Sequence, residues 1–223
     1  MSYVYMKALE KKAERYDKGI KTLTFGKYPK IQQFIADNYL NDGENLLDIG
    51  MGTGTFAILA ANKGLNVTGI DFSEKMLIVA KKNIKKKKLS ERINIKRTPI
   101  INLDKEFKNY SFDKVTAMLL FSELYEKEQD FTLDQVYRIL KDTGEFILVD
   151  EVKPKVFWKK VLFFIIRVPL VIITFLKSQL TTKALKNFEE RLKNHRFEII
   201  DEKYYLLDTL KLFRIQKRVD EKE

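Results

Sequence analysis

The residues best suited to chemistry lie in one short run, Asn45-Leu46-Leu47-Asp48-Ile49-Gly50-Met51-Gly52-Thr53-Gly54. An apolar burst of strand length empties there into a turn with glycine at every second position, and a helical pattern begins at once, from Thr55 to Asn62. Such a turn lets a ligand approach bare backbone amides at the mouth of a helix. The next apolar strand ends in Val67-Thr68-Gly69-Ile70-Asp71, which places an acid 21 residues beyond Gly50. An acid at that point can accept both hydroxyls of a ribose, so the pattern describes a nucleoside-containing cofactor. For a glycine loop taken by itself, a tight strand-to-helix turn with no ligand is the alternative.

A loop of this kind works only if a sheet presents it. Strand-like bursts recur at 45–49, 66–70, 93–96, 113–119 and 145–149, separated by helical spacing at 55–62, 73–87 and 130–140. Asp71-Phe72-Ser73 supplies an N-cap for the second of these helices. Strands alternating with helices predict an α/β fold with a doubly wound, mostly parallel sheet covered on both faces. The ligand crevice then lies beyond the carboxyl ends of the strands. After Asp150 a basic apolar stretch runs from Lys153 to Leu180, then a helix from Thr182 as N-cap to Asn194, then strands at 197–205 and 210–218 that form a hairpin-like pair closing the sheet edge. Upstream, 3–21 is a helix candidate, and Pro29 sits in the first turn of another that runs to about Leu40. The expected organisation is a single domain over 1–223: cap helices at 1–41, a cofactor-binding core at 42–151, an insertion at 152–181, and a helix with edge strands at 182–223.

Composition narrows the chemistry. The 223 residues include no Cys, which excludes disulfides, thiolate metal sites, iron-sulfur clusters and cysteine nucleophiles, and His195 is the one imidazole. No metal site is expected, and His195, near a helix end, is expected to favour the helix dipole and take no catalytic part. The formal net charge is +11. Much of the excess falls between Lys153 and Arg196, where eleven Lys or Arg face only Glu189 and Glu190. The other run, Lys81 to Lys88, reads as a solvated helix face. The first residues carry no apolar core between their charges and are not read as a secretory signal, so the expected location is cytoplasmic.

Glycine spacing distinguishes the cofactors. A dinucleotide fingerprint needs G-x-G-x-x-G, but after Gly50 and Gly52 the third position is Thr55, and the extra glycine comes one residue early at Gly54. With Asp48 the pattern is D-x-G-x-G-x-G, which resembles the glycine loop of class I S-adenosylmethionine-dependent methyltransferases. The likeness extends over Leu46 to Val149 through Asp71-Phe72-Ser73-Glu74-Lys75-Met76, Ser111-Phe112-Asp113 and Leu140-Lys141-Asp142-Thr143-Gly144-Glu145. The resemblance implies a Rossmann-like fold and S-adenosylmethionine as cofactor. It implies that Gly50, Gly52 and Gly54 form the cofactor loop, that Asp48 helps bind the ammonium and Asp71 the ribose, and that Phe72 flanks the adenine with Met76 nearby. Where this family usually has an acid after the third strand, the chain has Thr98, Pro99 and Ile100. Adenine would then be met by backbone and apolar contacts. Tyr16, in Arg15-Tyr16-Asp17, is similar to a motif of quinone-type methyltransferases whose N-terminal helix folds over the cofactor; simple helix filler is the other reading.

Candidates on the acceptor side stand at the ends of the fourth and fifth strands: Phe121 beside the cofactor, with Glu123 and Asp150 as general base or cation holder, or as caps and charge partners. Within 156–176 the longest uncharged runs are 161–166 and 168–176, six and nine residues, short of the roughly 18 a spanning helix needs. Helical spacing gathers Lys153, Lys155, Lys159, Lys160 and Arg167 opposite Phe157, Trp158, Val161, Phe164, Ile165 and Val168. A basic amphipathic helix of this kind suits the inner face of an anionic membrane, a substrate lid or a dimer contact. A lipophilic acceptor, a quinone or a lipid, is the first expectation. Segments such as 14–20, 121–124 and 150–154 also resemble the corrinoid protein-associated methyltransferases. That implies a corrinoid protein as partner, or an accessory role with little turnover of its own. Nucleic acid ranks last, because the aromatics sit on an apolar helix face and form no stacking platform.

Overall fold

The computed structural model describes residues 13–154, 158 and 184–218. Seven strands form one sheet in the order β3-β2-β1-β4-β5-β7-β6. They are β1 (Asn45–Ile49), β2 (Asn66–Asp71), β3 (Ile93–Arg97), β4 (Phe112–Met118), β5 (Leu140–Glu151), β6 (Phe197–Tyr205) and β7 (Leu210–Lys217). β1 to β5 pair in parallel, and β7 returns antiparallel between β5 and β6. The helices are α1 (Tyr16–Leu23), entered through a 3-10 turn at Ala13–Arg15, α2 (Lys27–Asn38), α3 (Thr55–Asn62), α4 (Glu74–Lys86), α5 (Leu103–Glu106), α6 (Glu126–Ile139) and α7 (Phe188–Asn194).

The sheet is covered on both faces, as its near-continuous apolar strands require. Successive residues of β1 serve opposite layers. Leu46 joins Ile20, Ile31, Ile35, Phe56 and Ala80 under α1 to α4, while Leu47 joins Leu133, Val136, Phe188 and Phe213 under α6 and α7. Phe56, Ala57, Ile58, Ala60 and Ala61 leave α3 apolar all round, and the helix is accordingly buried. Lys81, Lys82 and Lys85 to Lys88 are all exposed.

Three boundaries differ from expectation by four residues or more. α6 starts at Glu126, four residues before Asp130, because Tyr125 and Glu128 close a capping box, with the Tyr125 amide donating to Glu128 at 2.8 Å. The last helix starts at Phe188 and not after Thr182. Leu185 is drawn out of any helix by a bridge to Val152, its amide donating to the Glu151 carbonyl at 2.9 Å. β5 reaches back to Leu140 through a register break opposite Phe112 and Lys114, and so takes in 140–144, ahead of the expected start at 145. The terminal hairpin is present, although its second strand, β7, lies next to β5. Expectations for the N-terminal helix before Ala13, and for the amphipathic stretch over 155–157 and 159–183, fall outside the described residues.

Candidate active site

At the carboxyl edge of the sheet a cleft of about 550 Å3 opens over the glycine turn. Its walls carry Tyr16, Gly50, Gly52, Asp71, Phe72, Met76, Thr98, Pro99, Ile100 and Glu123, ten of the residues singled out from sequence. Residues that sequence reasoning passed over stand with them: Ile70, Ile101, Met118, Leu119, Leu120, Tyr125 and Glu128. Most of these are apolar strand ends that only the topology gathers together.

The turn is built for close approach. Gly50, Gly52 and Gly54 all have positive φ, at 70°, 54° and 78°. A side chain at Gly50 would come within 3.1 Å of Leu120, whereas above Gly52 nothing lies within 4 Å, so a ligand could press on bare backbone there. The Gly50 and Met51 amides are tied back to the Ile70 carbonyl at 2.8 and 3.0 Å. Gly54 takes no part in the cleft wall; it is the N-cap of α3 and packs towards Ala80. Asp71 fastens the turn to β2. One of its oxygens accepts from the Gly52 amide at 2.9 Å and the other from the Ser73 amide at 2.8 Å, which turns the carboxylate towards the loop while burial raises its pKa.

Beneath the turn lies Asp48, 3% exposed. Its Oδ1 accepts from the Thr116 hydroxyl at 2.8 Å, and its Oδ2 has no hydrogen-bond partner among the described residues. Burial pushes this carboxyl up to about 7, with the Asp71 charge adding to the rise. Asp48 is outside the cleft wall, but a buried, unpartnered carboxylate oxygen next to the glycine turn fits the ammonium of S-adenosylmethionine, and Asp71, in the wall, fits its ribose. Where adenine is expected from sequence, Phe72 is 68% exposed, with the Arg97 guanidinium 5.8 Å from its ring centroid, and Thr98, Pro99 and Ile100 continue the wall without an acid.

Besides Asp48 and Gly54, two further expected site residues lie outside the cleft wall. Phe121 is fully buried against Phe146 and Phe188, because the 3-10 turn after β4 directs its side chain into the core. Asp150 is also fully buried and is not in the cleft wall. It accepts from the Ser122 amide at 3.1 Å and from the Glu151 amide at 2.7 Å, and burial raises it to about 6. It clamps the turn that carries Glu123 and is not presented as a base. His195 caps the end of α7 and contacts Asp130 and Asp134, away from the cleft.

A sheet in this order, with a glycine turn opening a helix after its first strand, is the scaffold of class I S-adenosylmethionine-dependent methyltransferases, and the chain carries a methyltransferase domain of that class. Residues 40–206 match the family model described as a methyltransferase domain, and the chain belongs to that family. It is 29% identical over 149 residues to a demethylmenaquinone methyltransferase of Symbiobacterium thermophilum, covering 65% of this chain and 58% of that protein. It is 28% identical over 148 residues to a ubiquinone/menaquinone biosynthesis C-methyltransferase of Geotalea daltonii, covering 64% and 61%. In both cases the match spans less than two thirds of the relative. A crystal structure described as an S-adenosylmethionine-dependent methyltransferase of Methanococcus maripaludis superposes with a TM-score of 0.65 at 23% identity, covering 96% of this chain and 94% of that one.

Proposed function

We propose that this methyltransferase acts on a lipophilic, quinone-type acceptor. The observation that carries the reading is the largely apolar acceptor side of the cleft, where Met118, Leu119, Leu120, Leu124 and Tyr125 stand with Glu123 and Glu128, and no Lys, Arg or His is among the described residues of the wall. The names of the two relatives and the basic apolar stretch at 153–180 support it. When bound, S-adenosylmethionine supplies an electrophilic methyl whose bonding pair stays on sulfur as the thioether leaves. The chain's part is to orient the reactants, exclude water and take up any proton. Gly50, Gly52, Asp71 and Asp48 hold the cofactor, Thr98, Pro99, Ile100 and Met76 seat the adenosine, and Tyr16 closes over the loop. Glu123 lines the acceptor side and receives the proton released as the acceptor's nucleophilic atom forms its new bond. Lys153 to Leu180 brings the chain to the inner face of an anionic membrane, where such an acceptor is found. Among the described residues no helix is long and apolar enough to cross a membrane.

The test supplies methyl-labelled S-adenosylmethionine and a reduced desmethyl naphthoquinone in vesicles with or without anionic phospholipid. The reading predicts label in the quinone, more with the anionic vesicles; label in neither preparation overturns it. A second reading rests on the likeness of 14–20, 121–124 and 150–154 to the corrinoid protein-associated group: a corrinoid protein as partner, with little turnover in its absence. Label that appears only when a corrinoid protein is added favours it.

A further inference from the structure

Phe25 forms the tip of the turn between α1 and α2, and it is 86% exposed. Looseness does not put it there. The Phe25 amide donates to the Thr22 carbonyl at 3.1 Å, the Gly26 amide to the Lys21 carbonyl at 2.7 Å and the Lys27 amide to the Thr24 carbonyl at 2.8 Å. Phe25 itself has a φ of 48°, which a phenylalanine adopts only at a cost. The turn between β6 and β7 repeats the arrangement: Leu206, Leu207 and Asp208 all have positive φ, and Leu207 is exposed. Burial within the chain offsets neither cost, so both tips point to an apolar partner outside it.

Both turns lie on the face where the cleft opens. Leu210 pairs with Glu151, which sets the turn before it at the carboxyl end of β5, and the Val152 amide donates to the Thr209 carbonyl at 3.1 Å. The Gln32 amide is 4.0 Å from the sulfur of Met118, the last residue of β4, while further along α2 the Tyr39 hydroxyl donates to Asp201 in the middle of β6. The helix therefore points its start, and Phe25 before it, past the strand ends. Phe72, Ile101 and Tyr125 stand exposed in the cleft wall itself. Five of the ten large apolar side chains exposed among the described residues thus share one face, more than a water-facing surface calls for. Its cations suit a negative partner: residues 18–30 hold Lys18, Lys21, Lys27 and Lys30, all exposed, and no acid, and Lys153 and Lys186 are exposed beside the bridge that joins Val152 to Leu185. We propose that this face docks on an anionic phospholipid bilayer, with Phe25 and Leu207 entering the acyl boundary and the lysines meeting the phosphates. The inference deepens the quinone-type reading and rests on it for the purpose of the contact, since an acceptor dissolved in the bilayer then reaches the cleft without crossing water.

Trp158 is the one tryptophan, so Trp158→Phe gives a background into which Phe25→Trp is placed, with Tyr110→Trp as the control. Tyr110 is exposed and precedes β4, at the opposite ends of the strands. The vesicles carry bromine on their acyl chains and contain phosphatidylcholine with or without phosphatidylglycerol. The proposal predicts blue-shifted, quenched fluorescence from Phe25→Trp with phosphatidylglycerol present, and no quenching of Tyr110→Trp. In the otherwise unchanged chain, Phe25→Ala should lower vesicle affinity by about tenfold and leave the melting curve where it was. Equal quenching at both positions, quenching at neither, or unchanged affinity of Phe25→Ala overturns the surface. So does a dimer that Phe25→Ala dissociates, with no vesicle binding, which would give the face to a second copy of the chain. Methyl transfer to the reduced desmethyl naphthoquinone in detergent micelles separates the two readings: transfer without quenching of Phe25→Trp rejects the surface and keeps the acceptor, while quenching without transfer supports the surface and rejects the acceptor.

Discussion

If the proposed cofactor site holds, Asp48 sets its pH behaviour. Its carboxyl lies near 7 in the folded chain against an ordinary 3.8, so between those values the native state holds a proton that the unfolded chain has released. Its contribution to folding is therefore favourable at low pH and is lost as pH rises through about 7. At pH 8 the ligand-free protein carries a buried charge with an open oxygen, and Asp48→Asn should melt several degrees above wild type; a variant that melts below it at pH 8 contradicts this. Cofactor binding runs the opposite way, because only the ionised carboxylate attracts an ammonium. The affinity for S-adenosylmethionine should fall about tenfold per unit below pH 7 and level off above it, and Asp48→Asn should flatten that profile. Asp71 acts more directly. Its two oxygens hold Gly52 and Ser73, and Asp71→Ala should lower affinity by about 100-fold or more, as expected when charge-assisted bonds to two hydroxyls are lost. Circular dichroism and a melting curve would check that the variant stays folded.

At the scale of elements, the turn between β4 and α6 decides the shape of the acceptor side. Leu119 leaves β4 with φ at 58°, a left-handed conformation costly for leucine. The residues after it are held from several directions: Asp150 holds the Ser122 amide, while the Gln129 amide donates to the Phe121 carbonyl at 2.7 Å and the Leu124 carbonyl at 3.2 Å. Gln129 is backed in turn by Arg191 of α7, which also binds Asp130 and the Glu126 carbonyl. The region after the insertion is thus wired to the wall that carries Glu123 and Tyr125. Gln129→Leu leaves the Phe121 carbonyl with the Leu124 amide alone and takes the side-chain donor from the Leu124 carbonyl, and it should lower unfolding free energy by about 1–3 kcal/mol in denaturant titrations. In the same way Gly52→Ala should bind S-adenosylmethionine poorly, since it adds backbone strain and fills the open space above the turn.

For the whole molecule, periodicity and glycine spacing make the parallel core and the cofactor edge legible in the chain, because β1 with its loop and β2 with Asp71 are local signals. The features that stay hidden depend on distant parts meeting. Phe121 and Asp150 carry suitable residue types at strand ends, but burial gives one to the core and the other to a backbone clamp. The start of α7 escapes local reading because Leu185 pairs with Val152, more than thirty residues away in the chain. Every role assigned along this edge requires S-adenosylmethionine to lie there, and calorimetric titration of the purified protein with that ligand, run beside NADH, tests it most directly. Saturable binding of S-adenosylmethionine at one site per chain, with none of NADH, is the predicted result. Binding of NADH, or of neither ligand, would contradict it.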